Sequence, residues 1–304
     1  MRIGIMSDVL GGTLADVRDE VAWAATAGAH TYWLAQVWRY DAFTLIPSLA
    51  AEAPDLQFAT GVAATFHRHP MTMASQALTA NLLTDGRFTL GIGLMHKPII
   101  ENMFGMSFDK PVRHMSEYLD ILLPLLAQKP SDAAGEAWTY HGPIDVPGAP
   151  ECNVLLAALG PQMLGVCGRR TAGTITWMTG PHTIRDHVVP TLTAAADSVG
   201  REAPRVVALL PVHVTDDVSA GRARAAQTLG LYGTLPSYRA MLDREGLTGP
   251  EDYALIGSEG AVGDALEAYG AAGVTDLGIA VAADAVDRDR TREFVANFIA
   301  GTHL

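Results

Sequence analysis

Residues 56–94 read LQFATGVAATFHRHPMTMASQALTANLLTDGRFTLGIGL, and this stretch decides the fold. It opens on a β-rich apolar run, LQFATGVA (56–63), and passes into a helix-compatible segment, PMTMASQALTANLLT (70–84). A tight DGR turn at 85–87 then delivers a second apolar run, FTLGIGL (88–94). Strand, helix and strand in immediate succession make a βαβ unit, whose strands are parallel and whose crossover is right-handed. Near-continuous apolar strands of this kind are buried on both faces.

The same unit recurs along the chain. RIGIM (2–6) precedes an amphipathic segment from Thr13 to Ala27, where Thr13 and Asp16 hold the positions of a capping box. TYWLA (31–35) leads into DAFTLIPSLAAEA (41–53), and VRHMSEYLDILLPLLA (112–127) is a strongly periodic helix. NVLLAAL (153–159), GTITWMT (173–179), RVVALLPVHV (205–214) and TDLGIAVA (275–282) read as further strands. Helices are predicted at 161–172, 183–199, 218–231, 259–272 and 287–299.

Eight βα units in order predict a (β/α)8 TIM barrel, one domain spanning 1–304. Two stretches break the rhythm and read as insertions: a Pro- and Gly-rich excursion at 128–150 and an irregular helical one at 235–257. A doubly wound sheet would want GxGxxG after its first strand. SDVLGGT (7–13) stands there instead, and GIGLMH (91–96) lacks the third glycine. In a barrel the site lies at the C-terminal strand ends, among the βα loops.

Composition narrows the function. With 49% hydrophobic and 18% charged residues, the 304-residue chain can build a large core. A formal charge of −12 excludes a nucleic-acid partner, and no basic run exceeds GRR (168–170). No window reaches the roughly 20 apolar residues of a membrane span, and the apolar N-terminal stretch is too short for a signal peptide. Cys152 and Cys167 lack CxxC spacing and read as buried small hydrophobes in a reducing, cytoplasmic setting. The expected partner is a small molecule.

Candidate site residues cluster at the strand ends. Gly61 and Val62 close the third strand, where a glycine marks either tight barrel packing or a flat ring lying against the backbone. His67 and His69 follow. They bring no third ligand at useful spacing, so no metal site is expected; His69 starts a helix and His67 is a candidate for the site edge. At LAALGPQMLGVCGRR (156–170) the strand turns at Gly160 and Pro161 into a helix. The free amides of Gln162 and Met163 there offer an anion site, against the alternative of an ordinary loop.

The 91–111 segment carries Gly93, Met95, His96, Met103 and Phe104, a combination that suits an adaptable apolar wall beside one residue able to exchange a proton near pH 7. AQVWRYDAF (35–43) adds Gln36 and Trp38 as polar and stacking groups.

Taken together, ATGVAATFHRHPMTMASQALTANLLTDGRFTLGIG, KPVRHMSEYLDILLPLL, ALGPQMLGVCGRRTAGTITWMTGP and AAGVTDLGI resemble the luciferase-like monooxygenase superfamily, and more closely its coenzyme F420 (deazaflavin) branch. The resemblance implies a TIM barrel, commonly paired into a homodimer through barrel helices. It implies a cis peptide at Gly61–Val62 behind the deazaflavin ring, and cofactor phosphate held at Gly160, Gln162 and Met163 with Thr179 and Gly180. Departures from the family pattern are Gln36–Val37 in place of an Asp-His pair, and His96 where a carboxylate is common.

The activity it implies is hydride transfer from reduced F420 to an activated C=C or C=N bond. His96 is the first candidate to protonate the product and His67 the second. Two alternatives stay open: an FMN-dependent monooxygenase, and a barrel that binds ligands without turnover.

Overall fold

The computed structural model describes residues 1–7, 12–36 and 38–301. Eight parallel strands close into a barrel: β1 (Arg2–Met6), β2 (Thr31–Leu34), β3 (Gln57–Thr60), β4 (Phe88–Gly93), β5 (Asn153–Ala157), β6 (Gly173–Trp177), β7 (Arg205–Val214) and β8 (Asp276–Val281). Closure comes where β8 pairs with β1, from Arg2 opposite Asp276 to Ile5 opposite Ile279. The fold is the (β/α)8 barrel that the repeating units imply.

Two short strands depart from the simple pattern. Ala63–Ala64 resumes pairing with β4 beyond the end of β3, and Leu255–Gly257 lies parallel to the C-terminal part of β7. The excursion after helix Pro111–Leu126 forms an antiparallel hairpin, Ser131–Ala134 against Thr139–Gly142. The second insertion contains helix Pro236–Glu245 and a 3₁₀ turn at Pro250–Tyr253.

Local chemistry explains the helix starts. Thr13 and Asp16 form the anticipated capping box of helix Leu14–Thr26. His69 caps helix Pro70–Leu83 by accepting the Met71 N–H at its Nδ1, 3.2 Å away. The segment after β4 contains a short helix, Lys97–Asn102. Pro98 in its first turn and a Lys97–Glu101 ion pair of 2.9 Å, one turn apart, account for it.

Two apolar layers hold the barrel. Inside it, Met6, Trp33, Ala59, Leu155, Ile175, Val207 and Leu209 pack into one cluster. Trp33 is large for this space, and the strands yield to it at Gly4 and Gly278, where an added Cβ would come within 2.9 and 3.0 Å of the indole. Outside, the strands bury their other faces under the helices. At the N-terminal end Asp276 is buried, bonded to Arg2 (2.7 Å) and Arg205 (2.8 Å); burial works to raise its carboxyl, but the two guanidiniums and Thr275 hold it below the ordinary value. This ion-pair group lies at the end of the barrel opposite the βα loops, away from the site.

His114 makes the fold pH-sensitive. Its ring stacks on Phe66 at 3.9 Å, faces the edge of Trp138, and meets Thr65 Oγ1 at 3.1 Å. Burial pushes its pKa from 6.5 down to about 4, against a smaller opposing pull from Glu117. Above pH 6.5 the imidazole is neutral whether the chain is folded or not. Between 6.5 and about 4 only the unfolded chain takes up the proton, so stability falls as pH falls through that window and levels off below it. His114→Gln, which retains a partner for Thr65 and cannot titrate, should show a flatter Tm profile over this range by scanning calorimetry.

Candidate active site

A cavity of about 1260 Å³ opens at the C-terminal strand ends. Gln36, Trp38, Gly61, Val62, Gly93, Met95, His96, Gly160, Gln162 and Met163 all line it. Most of the predicted site is therefore brought together in one space.

Five predicted residues lie elsewhere. His67, Met103, Phe104, Thr179 and Gly180 do not line the cavity. The helix Lys97–Asn102 carries its trailing residues outward, leaving Met103 64% and Phe104 39% exposed. His67 stacks on Phe104 at 5.1 Å and sits 3.2 Å from Arg68; burial first, then the Arg68 charge, lowers its pKa. Val37 lies outside the described residues.

Thr179 and Gly180 precede a helix that begins at Pro181, but that helix start is already occupied. The Glu245 carboxylate accepts the His182 N–H (3.0 Å), the Thr183 N–H (2.8 Å) and the Thr183 hydroxyl (2.6 Å). It crowds Gly180 so closely that a Cβ there would fall 2.2 Å from the carboxyl carbon. A carboxylate of this chain thus stands where an anion would bind.

The helix Pro161–Arg170 is the opposite case. Its N-cap is Gly160, in extended conformation, and no side chain caps it. Pro161 occupies the first turn and Arg169 and Arg170 the last, an arrangement aligned with the helix dipole. Gly160, Gln162 and Met163 therefore present to the cavity a helix start that no side chain of the described residues caps.

The cavity floor is apolar backbone and small side chains. The Gly61–Val62 peptide is cis, as the resemblance implies. Gly93 is hemmed in by Val62 Cγ2 and Ala157 Cβ, which an added Cβ would meet at 2.8 and 3.2 Å. Such a floor accepts a flat ring and leaves no room for a longer side chain at position 93. The residues present fit a phosphate-bearing, ring-containing cofactor of the deazaflavin or flavin kind.

Polar groups around this floor are few and mostly engaged. Gln36 donates from Nε2 to Asp41 (3.0 Å) and accepts the Ala42 N–H (2.8 Å). Burial works to raise the Asp41 carboxyl, but hydrogen bonds from Thr44 and Gln36 and the Arg68 charge at 2.9 Å hold it below its ordinary value. His96 makes edge contacts with Tyr232 (5.9 Å) and Tyr238 (5.8 Å), and burial lowers its pKa, so it is neutral near pH 7.

Sequence reasoning missed Trp177, Tyr232 and Tyr238 as cavity residues, along with His213 and Arg224. His213 faces Asp287 at 3.1 Å, and Arg224 pairs with Asp284. Although His213, Asp284 and Asp287 converge closely enough to chelate, the Arg224 guanidinium already neutralises Asp284 and would repel a cation. We read this group as an ion-pair network.

A closed eight-stranded barrel with an apolar cavity at its C-terminal face, onto which the uncapped helix start at Gly160 opens, is the framework of a TIM-barrel enzyme. The chain belongs to the luciferase-like monooxygenase family, whose profile matches residues 1–276.

Among its relatives is a Mycobacterium tuberculosis protein named a coenzyme F420-dependent oxidoreductase, 27% identical over 229 residues. The alignment covers 70% of this chain and 66% of that one. In structure the chain resembles the coenzyme F420-dependent tetrahydromethanopterin reductase of Methanopyrus kandleri, with a TM-score of 0.81, 17% identity and 99% of each chain covered. It also resembles the FMN-bound oxygenating constituent of 3,6-diketocamphane monooxygenase from Pseudomonas putida, with a TM-score of 0.76, 16% identity, and 99% and 98% covered. At such identities the structural likeness speaks for the fold. Among the described residues no helix is long and apolar enough to cross a membrane.

Proposed function

We propose that this protein is a coenzyme F420-dependent reductase acting on an unsaturated small molecule with an activated C=C or C=N bond. The observation that carries the reading is the union, in one cavity, of an apolar Gly61–Val62–Gly93 floor and an uncapped helix start at Gly160. The name of the mycobacterial relative supports the same cofactor.

Gly160, Gln162 and Met163 would hold the cofactor phosphate, and Gly61, Val62 and Gly93 would bed its ring. Reduced deazaflavin, when bound, supplies a hydride and, lacking the flavin nitrogen that favours reaction with oxygen, keeps to two-electron chemistry. The chain's own contribution is positioning and exclusion of water. His96, held neutral by burial, presents one N–H and one bare nitrogen. Its N–H would hold the substrate heteroatom and mark where the product's proton arrives. Gln36, tied to Asp41 and Ala42, keeps the second loop in place beside it.

A second reading, FMN-dependent oxygenation, draws on the FMN-bound fold neighbour. Parallel titrations with F420 and FMN, followed by absorbance and fluorescence, separate the two. We expect F420 to bind, and the reduced form to be oxidised by a conjugated enone or imine. Tight FMN binding without F420 binding would overturn the proposal, and binding of neither would leave a barrel without turnover.

A further inference from the structure

Four rings from separate parts of the chain meet along one wall of the cavity. His96 follows β4, Trp177 ends β6, Tyr232 lies on helix Val218–Gly233 and Tyr238 on helix Pro236–Glu245. Tyr232 meets Tyr238 at 5.0 Å, Trp177 at 6.3 Å and His96 at 5.9 Å. Every one of these contacts is edge-to-face or close to it, and none is a parallel stack. Rings so arranged hold one another in place, and Trp177 and Tyr232, less buried than Tyr238, keep surface toward the cavity for a flat guest. Leu229, Leu235 and Ala225 complete the wall with apolar surface.

Charge is withdrawn from this wall. Of the charged side chains lining the cavity, Lys97 is paired with Glu101 and Arg224 with Asp284, while Arg288 is exposed at the rim. His213 is turned to Asp287. Among the described residues no carboxylate lines the cavity, and the Arg224 charge is balanced by Asp284, with only its Nη1 left without a hydrogen-bond partner. His96 is the imidazole set among the rings, beside the two phenol hydroxyls and the Trp177 Nε1–H, which is buried with no hydrogen-bond partner among the described residues.

We infer that the wall formed by Trp177, Tyr232, Tyr238 and His96 is the substrate subsite, shaped for a neutral, planar, conjugated molecule that stacks on Tyr232 and Trp177, backed by Tyr238, and offers a heteroatom to His96. This deepens the reductase reading and rests on it, since the cofactor takes the floor and leaves the wall to the substrate. It assigns specificity jointly to the insertion, through Tyr238, to the helix before it, through Tyr232, and to two strand ends, through His96 and Trp177. Glu245 is the positioning residue that ties that insertion to the barrel, through its bonds at His182 and Thr183.

Naphthoquinone and its ring sulfonate share a flat conjugated frame and differ in charge, so they test both parts of the inference. Both cysteines are buried with thiols pushed up to about 12, which protects them from addition to the quinone. Calorimetric titrations would use the full chain with and without saturating oxidised F420. We expect naphthoquinone to bind at least about tenfold more tightly than the sulfonate. Tyr232→Leu should weaken naphthoquinone about tenfold, Tyr232→Phe should stay within about twofold, and both variants should keep wild-type F420 affinity and Tm.

Equal or tighter binding of the sulfonate, or an unchanged affinity in a folded Tyr232→Leu variant, would overturn the inference. Wild-type protein that binds naphthoquinone in the expected Tyr232-dependent way but no F420 would instead sink the cofactor assignment and leave the subsite standing.

Discussion

Replacing Gly160 with aspartate should move stability and cofactor affinity in opposite directions. Gly160 has φ −78° and ψ 151°, a conformation open to any residue, and a Cβ there would have nothing within 4 Å. An aspartate at this N-cap can accept the amides of the first turn, as the Glu245 carboxylate does at the Pro181 helix. The helix should gain about 1 kcal/mol from the cap and its favourable charge, raising Tm by roughly 3 °C. The same carboxylate fills the place proposed for the phosphate and repels it. Losing about two charge-assisted hydrogen bonds corresponds to a weakening of F420 binding on the order of a hundredfold. Differential scanning fluorimetry and a cofactor titration on one preparation measure both. A higher Tm with unchanged affinity would move the phosphate away from Gly160.

Gly91→Ala is expected to be the most damaging small substitution in the barrel. An added Cβ would stand 2.0 Å from the Thr60 carbonyl oxygen and 2.6 Å from Ile175 Cδ1. Ile175 can adjust; the backbone oxygen cannot. Thr60 is fixed to Gly91 itself, its hydroxyl donating to the Gly91 carbonyl (2.7 Å) and accepting the Gly91 N–H (2.8 Å). Separating β3 from β4 to admit the methyl would break those bonds beside the cavity floor. We expect a loss of more than about 3 kcal/mol, a Tm lower by roughly 10 °C, and poor soluble yield. Gly230→Ala, in a helix where a Cβ meets nothing, is the control and should be neutral or stabilising. Comparable Tm values for the two variants would show that β3 and β4 separate more easily than their bonding implies.

Fold and site differed in how far they could be read from sequence, and the reason is range. The barrel follows from signals that repeat locally: an apolar run, a turn, a capped helix. Thr13 with Asp16, and His69 before Pro70, mark helix starts within a few residues. Gln36, Gly61, Val62, Gly93, His96 and Gly160 were legible because a barrel brings the ends of its strands to one face. Once a residue is placed at a strand end, its neighbourhood is known.

What escaped depended on contacts between distant segments. The Met/Phe cluster after β4 reads as a ligand wall, yet a single helical turn directs Met103 and Phe104 outward. Nothing near Thr179 and Gly180 announces that a carboxylate more than sixty residues later will settle on their helix. Tyr238 sits in the insertion and Tyr232 just before it, on helix Val218–Gly233, and the direction of both is decided by where these helices dock.

The Glu245 contact also bears on how such barrels can be recombined. The segment from 235 to 257 brings the carboxylate that completes a helix belonging to the barrel, so donor and acceptor lie on opposite sides of any graft junction. A chimaera that imports a relative's insertion without an equivalent acid strands two amides and a hydroxyl at Pro181. One that imports it with the acid keeps the crossover after β6 whole. The interchangeable module in this protein is therefore larger than the insertion, and it includes the helix start that receives Glu245.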